Sequence, residues 1–364
     1  MAKRIGGDKW LFFATLLLVV VGLAMVFSAS AVVAEARYHS PYTFVGKQAA
    51  WALAGLAALL LLSRVDYTLY QSPRFIYSAL SITIFLLVLV FLMPGSHNTH
   101  RWIRFGGFFT FQPSEIAKPV LVLFLAWFLS NRLDQIGDWK KTLLRALLIP
   151  LVLIALVDRQ PDLGTALVLA GITVMMLVLA GAQWRHLLLA MASALPVLAY
   201  QLLKVGFRRE RMLVFLHPDS DPEGYGFHIY QSLIAVGTGG LAGRGYMEGM
   251  QKLFFLPEAS TDFIFANIAE ELGFIGSTAI LLLFVIFGYR GLRIAFRLQD
   301  PFARLVAFGI TTSILLQSFF NISVVLSLLP TKGIPLPLIS SGGTSIFVTL
   351  ASIGVLLNIS RKVD

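Results

Sequence analysis

Apolar residues along this chain come in blocks of about 20, the length an α-helix needs to cross the hydrocarbon slab of a bilayer. Such blocks lie near residues 10–30, 43–62, 75–93, 114–130, 143–157, 163–181, 185–204, 264–288, 302–328 and 344–359. The pattern predicts an all-α polytopic integral membrane protein of about ten transmembrane helices. A membrane β-barrel would instead show short alternating segments. After the first block, SASAVVAEA places small residues at Ala29 and Ala31, where a cleaved leader would end. The block is longer than a leader core and more spans follow it, so it reads as an uncleaved anchor.

Lysines and arginines in the connections set the orientation. Lys3, Arg4, Lys9, Arg64, Arg74, Arg132, Lys140, Lys141, Arg185, Arg290, Arg293, Arg297, Arg304, Arg361 and Lys362 fall on one side, which should be cytoplasmic together with both termini. Segments 94–113, 158–162, 205–262 and 330–343 then face outward, and these carry the unusual residues. The longest, 205–262, is a large extracytoplasmic loop between spans 7 and 8, and loops of that length are usually functional. It alternates charged clusters (GFRRERM), turn signals, a glycine-rich run (GTGGLAGRGYMEG) and apolar stretches such as IYQSLIAV, a mixture suited to pieces that lie in the interface or dip back into the protein. No period of about 20–50 residues marks a repeat array, so residues 1–364 read as one transmembrane domain containing that loop.

Composition agrees with this reading. The chain is 57% hydrophobic and 13% charged, with a mean hydropathy of +0.79, far from a soluble domain. Its net charge of +10 follows from topology rather than from a nucleic-acid partner. The absence of cysteine removes disulfides, thiolate nucleophiles and Cys-ligated metal.

Several charged residues sit where lipid makes them costly. Asp262 stands at the mouth of the eighth span in STDFIF, with Glu270 and Glu271 carried inside it. Two readings fit Asp262: a helix N-cap, or a general base aimed into a cavity, with Ser260 or Thr261 capping instead. Glu115 and Lys118 in QPSEIAKPVL are three apart and share a helix face, so they form either a structural ion pair or a site element. Arg101 and Arg104, beside Trp102, and Arg208, Arg209 and Arg211 are outward cations against the topology bias. They suit an anionic headgroup, because the guanidinium fork matches phosphate oxygens, or else simple interfacial anchoring. Asp162 in RQPDLGTA is placed to cap the sixth span. PLPLISSGGTS, with Ser340, Gly342 and Gly343, reads as a broken helix whose open backbone lines a wet cavity or turns within protein. Its N–H groups, and those of the glycine run around Gly239, could cradle phosphate oxygens.

Other patterns fail. DSDPEG starts like a calcium loop at Asp219, Asp221, Glu223 and Gly224, but Tyr230 stands where the bidentate Glu belongs. GTGGLA lacks the strand–helix setting of a dinucleotide site. His97 and His100 are too few for zinc.

Taken together, NTHRWI, FQPSEIAK, QPDLGT, DPEGYGFHIYQSLIAVGTGGLAGRGY, LPEASTDFIFANIAEELGFIG and PLPLISSGGTS resemble the SEDS family (shape, elongation, division and sporulation) over nearly the whole chain. Ser341 and Ser327 depart from the family pattern, which has Tyr and Gly or Thr there; neither is a candidate catalytic group. Compact ends lean toward the elongation branch over the division branch. The resemblance implies a peptidoglycan glycosyltransferase that polymerises lipid II from the extracytoplasmic face of the bacterial cytoplasmic membrane. Its implied partners are a class B penicillin-binding protein as transpeptidase and other elongation-complex membrane proteins. On that reading Asp262 is the base. Lys118, Arg101 and Arg104, or a divalent cation such as Mg or Mn, stabilise the leaving pyrophosphate, and Glu115 holds Lys118. Asp162, Arg208, Ser340, Gly342 and Gly343 complete the expected substrate contacts. The rival readings are a lipid II flippase, since broken helices are also transporter features, and a non-enzymatic scaffold that activates a transpeptidase.

Overall fold

The computed structural model describes residues 7–93, 100–105, 109–216, 224, 226–253 and 255–363. Every predicted apolar block lies on a helix: α1 (Lys9–Tyr38), α2 (Thr43–Leu62), α3 (Pro73–Leu89), α4 (Pro113–Ser130), α5 (Leu144–Arg159), α6 (Leu163–Leu179), α7 (Trp184–Lys204), α10 (Ile264–Arg297), α11 (Pro301–Val325) and α12 (Gly343–Ser360). Eight of these are long and apolar enough to cross a membrane. The other two, α5 and α6, have 16 and 17 residues. Within the segment 205–262 lie two further helices, α8 (Gly206–Leu216) and α9 (Phe227–Gly239). A short antiparallel pair, β1 (Ile103–Phe105) with β2 (Phe109–Phe111), leads into α4.

Local chemistry explains where the helices begin. Asp8 accepts from Leu11 N–H at 3.0 Å to cap α1, Asp162 accepts from Thr165 N–H at 3.1 Å to cap α6, and Asp300 accepts from Phe302 N–H at 3.2 Å ahead of Pro301 in α11. The bundle is layered by burial. Inside it, α4 and α12 each bury 72% of their apolar window and α11 buries 67%, whereas α7 buries 6%. Lipid tails are as apolar as a protein core, so the outer helices keep their leucines facing outward; Leu188, Leu189 and Leu195 of α7 are exposed.

One helix is broken. In α10, Gly273 adopts φ 66°, ψ −165°, a conformation open to glycine, and the helix restarts beyond it. The break opens backbone groups that need partners, and the glycine-rich run supplies them. Arg244 N–H donates to Glu270 O at 3.0 Å and Gly245 N–H to Glu271 O at 3.0 Å, while Phe274 N–H donates to Gly240 O at 2.9 Å and Ile275 N–H to Leu241 O at 3.1 Å. Glycine is required because the two backbones nearly touch. A Cβ on Gly239 would sit 1.9 Å from Ala269 O, and one on Gly243 2.1 Å from Glu271 O. The run therefore packs against α10, which corrects the expectation that its N–H groups cradle phosphate.

Glu270 and Glu271 lock the same junction with their side chains. Both are buried. The Glu270 carboxylate accepts from Met250 N–H at 2.8 Å and Gln251 N–H at 3.1 Å. Glu271 accepts from Lys252 Nζ at 2.6 Å, from Ser28 Oγ of α1 at 2.6 Å and from Met247 N–H at 3.0 Å. Segment 244–252 is thus bound to α10 and α1 together. Lys252→Ala leaves a buried carboxylate without its cation and is expected to cost about 3–5 kcal/mol, read as a lowered melting temperature in detergent. The pair Lys252→Met with Glu271→Gln should recover most of that loss, because no charge is then stranded.

Candidate active site

A cavity of about 730 Å³ opens where the α5–α6 turn, α8, the start of α9 and the loops before α10 and α12 converge. Asp262 lies on its wall. Contrary to the capping alternative, the Asp262 carboxylate does not cap α10: the helix starts at Ile264 with Phe263 at the cap position and no side-chain bond, and Thr261 Oγ1 turns to Glu258 instead, 2.7 Å from its carboxylate. The carboxylate faces Gly333, where a Cβ would stand 2.6 Å from Oδ2, so only glycine leaves it room.

The backbone around Asp262 is braced from α11 and from the turn before α12. Asn321 Nδ2 of α11 donates to Asp262 O and to Ile334 O, each at 2.7 Å. Ser340 Oγ donates to Thr261 O at 2.5 Å, and Ser341 N–H to Ser260 O at 2.9 Å. Gln48 of α2 in turn holds the serine–glycine turn, donating from Nε2 to Ser340 O at 3.0 Å and accepting from Gly342 N–H at 3.1 Å. Gly343 packs against Trp51, with no space for a Cβ. Ser340 thus braces the Asp262 loop, and Ser340, Gly342 and Gly343, expected to contact substrate, are not among the residues lining this cavity.

Charge around the cavity is mixed, with cations in excess. Arg101, Arg208, Arg211 and Lys332 line it, against Asp162, Glu258 and Asp262. Arg101 is oriented by the carbonyls that end α5, donating from Nε to Gln160 O at 3.0 Å and from a terminal nitrogen to Pro161 O. Arg208 is held by Gln201 at 2.5 Å and Asp158 at 3.0 Å. Burial pushes the Asp262 carboxyl up to about 7; Glu258 and Asp162 push the same way, and Arg101 and Arg211 oppose them. Lys332 is lowered to about 8 by burial and by Arg208. A carboxyl that titrates near neutrality inside a cationic cavity is suited to taking and releasing a proton.

Other candidates lie elsewhere. Lys118 is buried in the bundle, 2.9 Å from Glu115, with its ammonium also donating to Gln317 Oε1 of α11. Gln317 Nε2 donates to Pro335 O at 2.8 Å. Neither Glu115 nor Lys118, expected at the leaving pyrophosphate, lines this cavity; they tie α4 to α11 and to the loop that carries Lys332. Arg104 is exposed on β1 and does not line the cavity either. Asp162 both caps α6 and faces the cavity. His97, Asp219, Asp221, Glu223, Lys3 and Arg4 lie outside the described residues. Among the described residues, no group of three or more His, Asp or Glu converges to hold a metal ion.

Lys332, Glu258 and His228 also line the cavity and were not singled out by sequence reasoning. For Lys332 the signal was present: like Arg101, it is a cation on a segment expected to face outward. His228 stacks on Phe263, next to Asp262, with ring centroids 5.8 Å apart.

This fold and site define a multi-pass membrane protein with a cationic cavity around one perturbed carboxyl at the ends of its spans. The FtsW/RodA/SpoVE family, described as cell cycle protein, matches residues 9–364, and the chain belongs to it, that is, to the SEDS family. A probable peptidoglycan glycosyltransferase FtsW of Geobacter metallireducens is 41% identical over 94% of this chain and 91% of its own length. Stage V sporulation protein E of Bacillus subtilis is also 41% identical, over 99% of this chain and 98% of its own. Among solved structures, a chain from a study of polymerisation and crosslinking by a peptidoglycan synthase complex superposes with a TM-score of 0.80 at 27% identity, covering 98% of each chain. Thermus thermophilus rod shape determining protein RodA superposes with a TM-score of 0.71 at 25% identity, covering 99% of this chain and 98% of that one.

The raised Asp262 carboxyl has a signed consequence for stability. Its folded value of about 7 exceeds the ordinary 3.8, so across that interval the native state keeps a proton that the unfolded chain has released. Stability from this group is therefore lost as pH rises through the interval. Asp262→Asn is expected to melt higher than the native chain at about pH 8, with the gap narrowing steadily below about pH 7. Melting curves of both proteins across pH test this; a gap that does not change with pH would refute it.

Proposed function

We propose that this protein is a peptidoglycan glycosyltransferase that polymerises lipid II. The observation that carries the reading is the Asp262 carboxyl, poised near neutrality on the wall of a 730 Å³ cavity whose other charges are mainly cationic. Names of the FtsW relatives and the peptidoglycan synthase complex support it.

The reaction is an in-line displacement. The acceptor sugar hydroxyl forms a bond to the anomeric carbon of the donor, the bond from that carbon to the lipid-linked pyrophosphate breaks, and α linkage becomes β. Asp262 in its carboxylate form takes the hydroxyl proton. The pyrophosphate departs with its electron pair into the field of Arg101, Arg208, Arg211 and Lys332, where preorganised positive charge lowers the barrier. Guanidiniums fixed by carbonyls and carboxamides, as Arg101 and Arg208 are, need little reorganisation when that charge develops. Glu115, Lys118, Ser340 and Gln48 act at one remove, by holding the elements that present Asp262 and Lys332.

The excess of Lys and Arg at the opposite end of the bundle favours an orientation in the cytoplasmic membrane with the cavity outward. A class B penicillin-binding protein is the proposed transpeptidase partner. The FtsW and sporulation names of the relatives weigh toward division or sporulation over the elongation role expected from the resemblance.

Purified protein with its transpeptidase partner, supplied with lipid II and divalent cation in detergent, should make glycan polymer, and Asp262→Asn should lower the rate by about 10²–10⁴ while still folding and binding the partner. Polymer from both proteins would remove Asp262 from the chemistry, and polymer from neither would favour transport or scaffolding. With the base titrating near 7, the native rate should fall about tenfold per pH unit on the acid side of that value. A flat rate from about pH 5 to 8 would exclude Asp262 as the base.

A further inference from the structure

At the end of the bundle opposite the cavity, a pocket of about 190 Å³ opens between the start of α1, the last turns of α10 and the end of α12. Arg290, Arg293 and Arg297 line it, spaced so that they share one face of α10. Asp8 is the one acidic residue among those lining it. It is already engaged by Arg290, whose Nε lies 3.1 and 2.9 Å from its two carboxylate oxygens. The Arg293 and Arg297 side chains have no protein acceptor among the described residues. Their neighbour Arg304 shows the contrast: it folds back on Leu298 O with two nitrogens, at 3.0 and 2.9 Å. The pocket thus holds two guanidinium forks without a protein acceptor among the described residues, where the start of α1 meets the ends of α10 and α12.

Its depth in the bilayer follows from the helices that build it. Beyond the break at Gly273, residues 274–297 of α10 span about 36 Å at about 1.5 Å per residue, more than the roughly 30 Å of hydrocarbon. Trp10 of α1 and Tyr289 and Phe296 of α10 are exposed beside these arginines. Exposed aromatic residues of this kind belong at headgroup level. We infer that this pocket binds the phosphodiester of an anionic phospholipid, clasped between Arg293 and Arg297, with the lipid's acyl chains lying along the apolar flanks of α1 and α10.

Native mass spectrometry of the whole protein in neutral detergent tests the site, with phosphatidylglycerol and phosphatidylcholine as probes. The native chain should retain phosphatidylglycerol selectively. Arg293→Gln with Arg297→Gln should bind it about thirtyfold more weakly, and Arg297→Gln alone about fivefold. Arg64→Gln with Arg74→Gln, which removes two exposed arginines of the same end outside the pocket, should leave retention unchanged. Melting temperature without added lipid reports whether each variant folds, and the single variant at exposed Arg297 serves if the double one does not. Equal retention by the pocket variants, or equal loss in the control, would overturn the assignment. Displacement of the lipid by inorganic phosphate alone would make this a site for soluble anions and overturn it as well.

Discussion

A helix broken beside lipid must find partners for the backbone groups it opens, because hydrocarbon offers none. In this protein that constraint falls on α10 at Gly273, and the remaining architecture around the cavity depends on how it is met. The glycine run 239–245 comes close enough to exchange backbone hydrogen bonds across the break, and Glu270 and Glu271 then bind the following segment through buried charge-assisted bonds. A buried carboxylate is costly when stranded and tolerable when every oxygen is engaged. Glu271 is fully engaged by Lys252, Ser28 and Met247, which joins α1 to the loop and to α10.

From that junction the chain runs on to Asp262, whose environment obeys the opposite rule. Glu271 is surrounded by donors, whereas Asp262 has its backbone fixed by Asn321 and its carboxylate left facing a cavity, with Gly333 making room. Burial and two neighbouring acids raise its affinity for a proton, and two arginines restrain that rise. The result is a group able to exchange a proton near neutral pH. Carboxylates close in sequence thus divide into a buried, bonded pair and one left facing a cavity, according to whether donors converge on them.

Much of this was legible before the structure. The ten helices follow from apolar blocks, Asp162 was recognisable as a cap, and Arg101, Arg208 and Asp262 stood out as charges on segments expected to face outward; these four residues line the cavity. Lys118 illustrates the limit. Its spacing from Glu115 announced a pair, but nothing local said whether that pair faced the cavity or Gln317 in the bundle. The glycines misled in a different way: close approach of two backbones and cradling of an anion both demand glycine, and sequence does not distinguish them.

What the sequence determined by itself is what depends on short-range pattern and on bilayer thickness: the helices, their membrane character, the distribution of positive charge between the two ends, and a short list of charged residues whose position needs a reason. Only tertiary structure decided which of those charges meet. Arg101, Asp162, Arg208, Asp262 and Lys332 come from five separate stretches of chain. Their convergence, where the α5–α6 turn, α8 and the loops before α10 and α12 meet, is a long-range outcome that no local spacing encodes.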